Sequence, residues 1–205
     1  MSGEAPMRLV VGISGASGVL YGVRALDACR ELGVESHLVV SRAAALTLAE
    51  ETDLTLEALA AKATVTWRAG DVGAAIASGS FPAAGMIVAP CSVRTMSEIA
   101  TGVTSTLLSR AADVTLKERR PLVLLIRETP LHLGHLRTMV SLAEMGATIA
   151  PPLVAFYAHP RTISDIIDHS VGRALDVFGL SWDRVRRWGD TSDAPLAAGG
   201  SSDTP

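Results

Sequence analysis

The sequence predicts an α/β fold, a single doubly wound parallel sheet with helices on both faces. Three observations predict it. Short β-rich runs alternate with longer segments of helical period, and the connections between them are short. The strand-like runs are apolar throughout, as strands covered on both faces must be. Apolar residues make up 48% of the 205 residues and mean hydropathy is +0.34. A two-faced sheet accounts for much of that surplus, and helix faces buried between subunits could account for the rest; composition does not divide the two causes.

The elements follow in order. "RLVVGIS" (Arg8 to Ser14) reads as the first strand and "YGVRALDACREL" as its helix, stopped at Gly33. "ESHLVV" is the second strand, closed at Ser41, and "SRAAALTLAEE" is a helix. "ATVTW" is a short strand. "GMIVAP" is a buried strand, after which Ser92 opens a helix as its N-cap. "LLSRAADVTLKE" is helical, "PLVLLIRE" a strand, and "LGHLRTMVSLAEMG" a helix with Gly146 at its end. "ATIAPP" is a short strand closed by prolines, and "TISDIIDHSVGRALDVFGL" is the last long helix. No repeat or linker divides the chain, so residues 1–188 read as one domain. Residues 189–205 have turn-former composition and are expected to hang loose.

Composition excludes several classes. A net charge of −3, no basic block and 4% aromatics argue against a nucleic-acid partner. Two distant cysteines without a CxxC fit a reduced, cytoplasmic protein. "MSGEAPM" lacks the cationic start and apolar segment of a signal peptide, and no apolar run reaches membrane-spanning length.

Ligands of such sheets bind outside the carboxyl ends of the strands. "GISGASG" breaks the dinucleotide pattern, because its second glycine position is Ser14. The acid expected about 20 residues on, to hold a ribose, is also missing; Ser41 and Arg42 stand there. A hydroxyl can donate to a phosphate that a carboxylate would repel, which favours FMN over NAD, with Arg42 keeping NADP open. In "PCSVRT", Ser92 and Thr95 offer hydroxyls at a helix start with free backbone N–H groups. Cys91 has no nearby histidine to activate it and reads as a small buried hydrophobe. Arg127 and Glu128 end the most apolar strand. In a partly desolvated pocket Glu128 can move protons near neutral pH; on an open surface the two are a solvated ion pair. His132 and His135 lack a third ligand, so no metal is expected. "LKERR" reads as a solvated helix end, although Lys117 can meet an anion.

The segments "GISGASG", "HLVVSRAA", "GSF", "PCSVRT", "RAADVTLKERRPLVLLIRETPLHLGHL", "GATIAPP", "AFYAHP" and "RWGD" together resemble the UbiX-type flavin prenyltransferases, in order from Arg8 to about Gly189. The resemblance implies a Rossmann-like, flavodoxin-related fold and a metal-independent reaction. In that reaction a dimethylallyl group passes from its monophosphate to N5 and then C6 of reduced FMN; a diphosphate donor stays open. It also implies prenylated FMN as product for UbiD-type decarboxylases, and a dodecameric homo-oligomer. Carried over residue by residue, Gly15, Ala16, Ser17, Ser41, Ser92, Val93, Arg94, Thr95 and Arg127 would line the flavin. Tyr157 and Arg173 would hold the prenyl phosphate, joined by Lys117 and Arg110 from a neighbouring subunit. Glu128 would be the acid–base residue, with Ser17 at the reactive N5 edge. Trp188 would cover the site or seal the core. One departure stands out: Ser105 and Thr106 replace the Asp or Asn often found after "ATG" in the family. Two alternatives remain, an FMN-dependent cysteine decarboxylase-like enzyme and a non-catalytic flavin carrier or accessory subunit of a decarboxylase.

Overall fold

The computed structural model describes residues 6–188; the expected loose segment 189–205 lies outside them. Six parallel strands form one sheet in the order β3-β2-β1-β4-β5-β6. They are β1 (Arg8–Ile13), β2 (Glu35–Val40), β3 (Val65–Trp67), β4 (Gly85–Cys91), β5 (Leu122–Ile126) and β6 (Thr148–Ile149). The order reverses between β1 and β4, the switch point at which doubly wound sheets open a crevice for ligands.

Alternation along each strand feeds two cores. Leu9, Val11 and Ile13 of β1 and Val123 and Leu125 of β5 point to one layer. There they meet α1 (Leu20–Glu31), α2 (Arg42–Glu51), α3 (Leu56–Ala60) and α7 (Ile163–Leu175). Val10, Leu122, Leu124 and Ile126 point to the other, against α4 (Val93–Ala100), α5 (Leu107–Lys117) and α6 (Leu133–Glu144). All five residues of β5 are buried, which explains why "LVLLI" shows no polar alternation. Each such side chain contributes about 1.5–3 kcal/mol by leaving water.

Most elements form where the sequence predicts them. The exceptions have simple causes. Helix α3 is five residues long, too short to show a helical period. The last helix yields at Leu175 to a 3₁₀ turn, Asp176–Phe178, closed by Gly179 in the left-handed region. Strand β5 stops at Ile126, so Arg127 and Glu128 lie beyond it. Thr106, which with Ser105 makes the one departure from the resemblance, caps α5: its hydroxyl accepts from Ser109 N while Ser109 Oγ accepts from Thr106 N. Among the described residues no helix is long and apolar enough to cross a membrane.

Helix α1 lies tight against the sheet because residue 22 is glycine. A Cβ there would run into the Ala89 carbonyl and come within 2.6 Å of the Ile13 side chain. On its other side α1 is tied to α7 by a two-point ion pair, Arg24 to Asp168 at 2.7 and 2.8 Å. Gly22→Ala must therefore push α1 off β1 and β4. The expected loss is about 1–3 kcal/mol, the usual cost of overpacking, read as a lower midpoint in urea unfolding at unchanged slope.

Candidate active site

At the crevice, the loops after β1, β2, β4 and β5 are fastened to one another. The buried Ser14 hydroxyl donates to the Pro90 carbonyl at 2.9 Å and accepts from Ser92 N at 2.7 Å. Ser41 N donates to the Ile13 carbonyl at 2.9 Å, and Arg127 N to the Cys91 carbonyl at 3.1 Å. Gly15 completes the contact, since a Cβ at that position would collide with Ala43 at the start of α2.

Two helices open onto this edge with their N-termini capped by serine. Ser41 Oγ accepts from Ala44 N at 3.1 Å at the head of α2, and Ser92 Oγ accepts from Thr95 N at 3.3 Å at the head of α4. The Ser41 hydroxyl keeps a proton to donate, and each helix start presents further N–H groups with no partner inside the helix. Thr95 is buried behind Ser92, whose hydroxyl donates to it at 3.2 Å. Val93 opens α4, and the Arg94 side chain turns out to solvent beside Glu98 at 3.0 Å.

The head of α1 differs. Its first turn has no side-chain cap of its own. Glu51, at the far end of α2, reaches across and accepts from Gly18 N at 2.8 Å and Val19 N at 2.9 Å. Burial works to raise the Glu51 pKa, but the Ser17 hydroxyl, the two amides and the charge of Arg127 outweigh it and hold the carboxyl below its ordinary value. Ser17 is thereby fixed beside a carboxylate and a guanidinium. Sequence reasoning missed Glu51. A signal existed, because "EE" at the C-terminal end of a helix opposes the helix dipole and asks for another reason to be there.

Glu128 follows Arg127 but is exposed, its carboxylate accepting from Thr129 N at 2.9 Å. Among the described residues Glu128 stands on an open surface, because β5 ends two residues earlier and the loop turns outward. Cys91 is fully buried and burial pushes its thiol up to about 12, which leaves it unreactive near neutral pH. His132 and His135 stack at 3.6 Å, and His132 Nδ1 accepts from His135 N to cap α6.

Tyr157 and Arg173 form a second group along the β6 edge. The Tyr157 hydroxyl lies 3.1 Å from His169 Nε2, and His169 sits one turn before Arg173 on α7. Arg173 donates to Asp176 at 2.6 Å, and Arg187 binds the same carboxylate at 2.6 and 2.7 Å. Hydrogen bonds from Arg187, its charge and that of Arg173 outweigh burial and lower the Asp176 pKa. A cavity of about 300 Å³ runs past Arg173 and His169 between α7 and the Pro151–Pro152 turn. Trp188 stands edge-on to Tyr157 at 5.4 Å and is 79% exposed, so it covers the tyrosine and does not seal the core. Lys117 and Arg110 join neither group within the chain. Lys117 is in the last turn of α5, at the edge where strands begin, paired with Glu118 at 2.6 Å; Arg110 pairs with Asp113 at 3.1 Å.

The family model described as Flavoprotein matches residues 2–175. A flavin prenyltransferase UbiX from Thauera aromatica is 54% identical over 191 residues, covering 93% of this chain and 98% of that protein. The chain belongs to the UbiX family of flavoproteins. Among solved structures, AnUbiX (PadA1) in complex with FMN and dimethylallyl pyrophosphate matches this UbiX-family chain with a TM-score of 0.88 and 47% identity, covering 89% and 97% of the two chains. A dodecameric FMN-dependent UbiX-like decarboxylase from Escherichia coli O157:H7 matches with a TM-score of 0.87 and 48% identity, covering 89% and 99%.

Two outcomes follow for this UbiX-family crevice. Ser14→Ala leaves the half-buried Ser92 N–H without its acceptor and loosens the junction of β1 and β4 with α4. The expected cost is about 1–3 kcal/mol, seen as a fall in Tm of about 2–4 °C per kcal/mol for a chain of this length. Glu51 has a folded pKa below the unfolded value, so it stabilises the fold above about pH 4.5 and that contribution fades as pH falls through the folded pKa. Glu51→Gln should flatten the acid limb of a stability-versus-pH curve in that window, leaving the neutral-to-alkaline shape unchanged.

Proposed function

We propose that this protein is a metal-independent flavin prenyltransferase that passes a dimethylallyl group from dimethylallyl monophosphate to N5 and then C6 of reduced FMN. Its product, prenylated FMN, serves UbiD-type decarboxylases. Residues 1–188 act in this reading as one cytoplasmic flavoprotein domain. The observation that carries the reading is the distribution of anion sites at the crevice, in a chain about half identical to proteins named for this activity. Glu51 shuts the head of α1 to a second anion. The heads of α2 and α4 stay open beside Arg127, so the FMN phosphate goes to Ser41 and Ser92.

Gly15, Ala16, Ser17, Val93, Arg94 and Thr95 would line the flavin, with Ser17 at its reactive N5 edge. Breaking the prenyl carbon–oxygen bond builds negative charge on the departing phosphate, and prepositioned Tyr157 and Arg173 donors favour that transition state. Glu128 moves the protons of phosphate departure and C6 proton loss. The crevice, the β6 flank and Lys117 occupy three parts of the chain, which supports a homo-oligomer whose sites form at subunit contacts. A dodecamer, like that of the Escherichia coli relative, would supply the flank, Lys117 and Arg110 from neighbouring copies and bury Glu128.

Anaerobic incubation with reduced FMN and dimethylallyl monophosphate, read by flavin mass and absorbance, tests the activity directly. Glu128→Gln should keep FMN bound and slow prenylation by about a hundredfold to ten-thousandfold; wild-type turnover would end that assignment. Ser41→Asp sets a carboxylate against the FMN phosphate and should abolish flavin binding. Arg173→Ala should retain flavin and lose about a hundredfold in rate, as for one missing oxyanion donor. Retained flavin in the first variant, or lost flavin in the second, means the two phosphates are assigned to the wrong groups.

A further inference from the structure

Tyr157 comes from a loop that contributes little to either core. Its neighbours Leu153 and Phe156 are 75% and 79% exposed. Two contacts hold the phenol instead. His169 meets it edge-on, ring centroids 5.7 Å apart, with Nε2 within 3.1 Å of the hydroxyl; the Trp188 ring stands edge-on at 5.4 Å. His169 and Arg173 are four residues apart on α7 and so project from one face. Both line the same cavity.

We propose that His169 is a positioning residue for the prenyl donor: it fixes the Tyr157 ring and turns the phenol proton outward, so that Tyr157 and Arg173 donate together to the donor's phosphate. The inference rests on the reading that those two residues hold that phosphate. A phenol has a single proton. Given to His169, it is lost to the phosphate; Tyr157 serves an anion only when Nε2 carries a proton and donates to the phenol oxygen. A neutral imidazole allows this by its choice of tautomer, and an arriving phosphate selects the donating form. Burial and the charges of Arg173 and Arg187, opposed by Asp176, hold the His169 pKa below the ordinary histidine value, which keeps the ring neutral near neutral pH. Nothing in the sequence pointed to His169, since its partner lies twelve residues back in an irregular loop.

The test is steady-state prenylation with dimethylallyl monophosphate, measured anaerobically beside FMN affinity. His169→Phe should raise the KM for the donor by about tenfold or more, the effect of one hydrogen bond to a charged group, and leave FMN affinity unchanged. His169→Gln, whose amide N–H can replace the imidazole donor, should restore most of the loss. His169→Asn, too short to reach, should behave like the phenylalanine variant. His169→Phe combined with Tyr157→Phe should be no worse than Tyr157→Phe alone, because both remove one interaction. An unchanged donor KM in both His169→Phe and His169→Asn, or effects that add to Tyr157→Phe, overturns the inference while the phosphate reading stands. If Tyr157→Phe and Arg173→Ala themselves leave the donor KM unchanged, the phosphate reading fails and the inference falls with it.

Discussion

The crevice depends on one buried hydroxyl. Ser14 sits at the point where the strand order reverses, donates to the end of β4 and accepts from the head of α4. Glycine there would keep the backbone bond to Pro90 but leave Ser92 N at the head of α4 without its acceptor. The serine that spoils the dinucleotide pattern therefore holds the loops in register. Around that junction, Ser41, Arg127 and Gly15 bring four strand ends to one place, each through a backbone contact that side-chain motion cannot relax.

Around the same junction, charge is divided in a way that decides which helix can meet a ligand. The N-terminus of α1 carries its partial positive charge against Glu51, a fixed internal anion. The loop that a reader of the sequence would choose for a phosphate is thus already satisfied, while the serine-capped heads of α2 and α4 are not. On the β6 flank Asp176 plays a comparable part, receiving Arg187 and Arg173 and steering the guanidinium of Arg173 along the face of α7 that carries His169.

Local signals made the strands, the helices and the Ser92 cap legible. "LVLLI" can hardly be anything but a doubly covered strand, and Ser92 stands directly before a helical run, whereas the capping role of Ser41 emerges only in the structure. What escaped depended on distance. Glu51 bonds to residues about thirty positions earlier, and the Tyr157–His169 pair joins a loop to a helix. Glu128 was open to two readings, a pocket and an open surface, because the exit angle of the chain after Ile126 decides between them and no local pattern encodes that angle. Lys117 was readable as a cation but not as one placed at the opposite edge of the sheet.

The two outer strands are very short, three residues in β3 and two in β6. So little free ladder gives an incoming strand almost nothing to pair with, which closes both ends of the sheet to growth by strand addition. Among the described residues this leaves helix faces and loops as the surfaces for assembly, where Leu133, Val140, Leu153 and Phe156 are exposed. Such contacts are made by side chains, so they can be altered one residue at a time without unpicking the sheet.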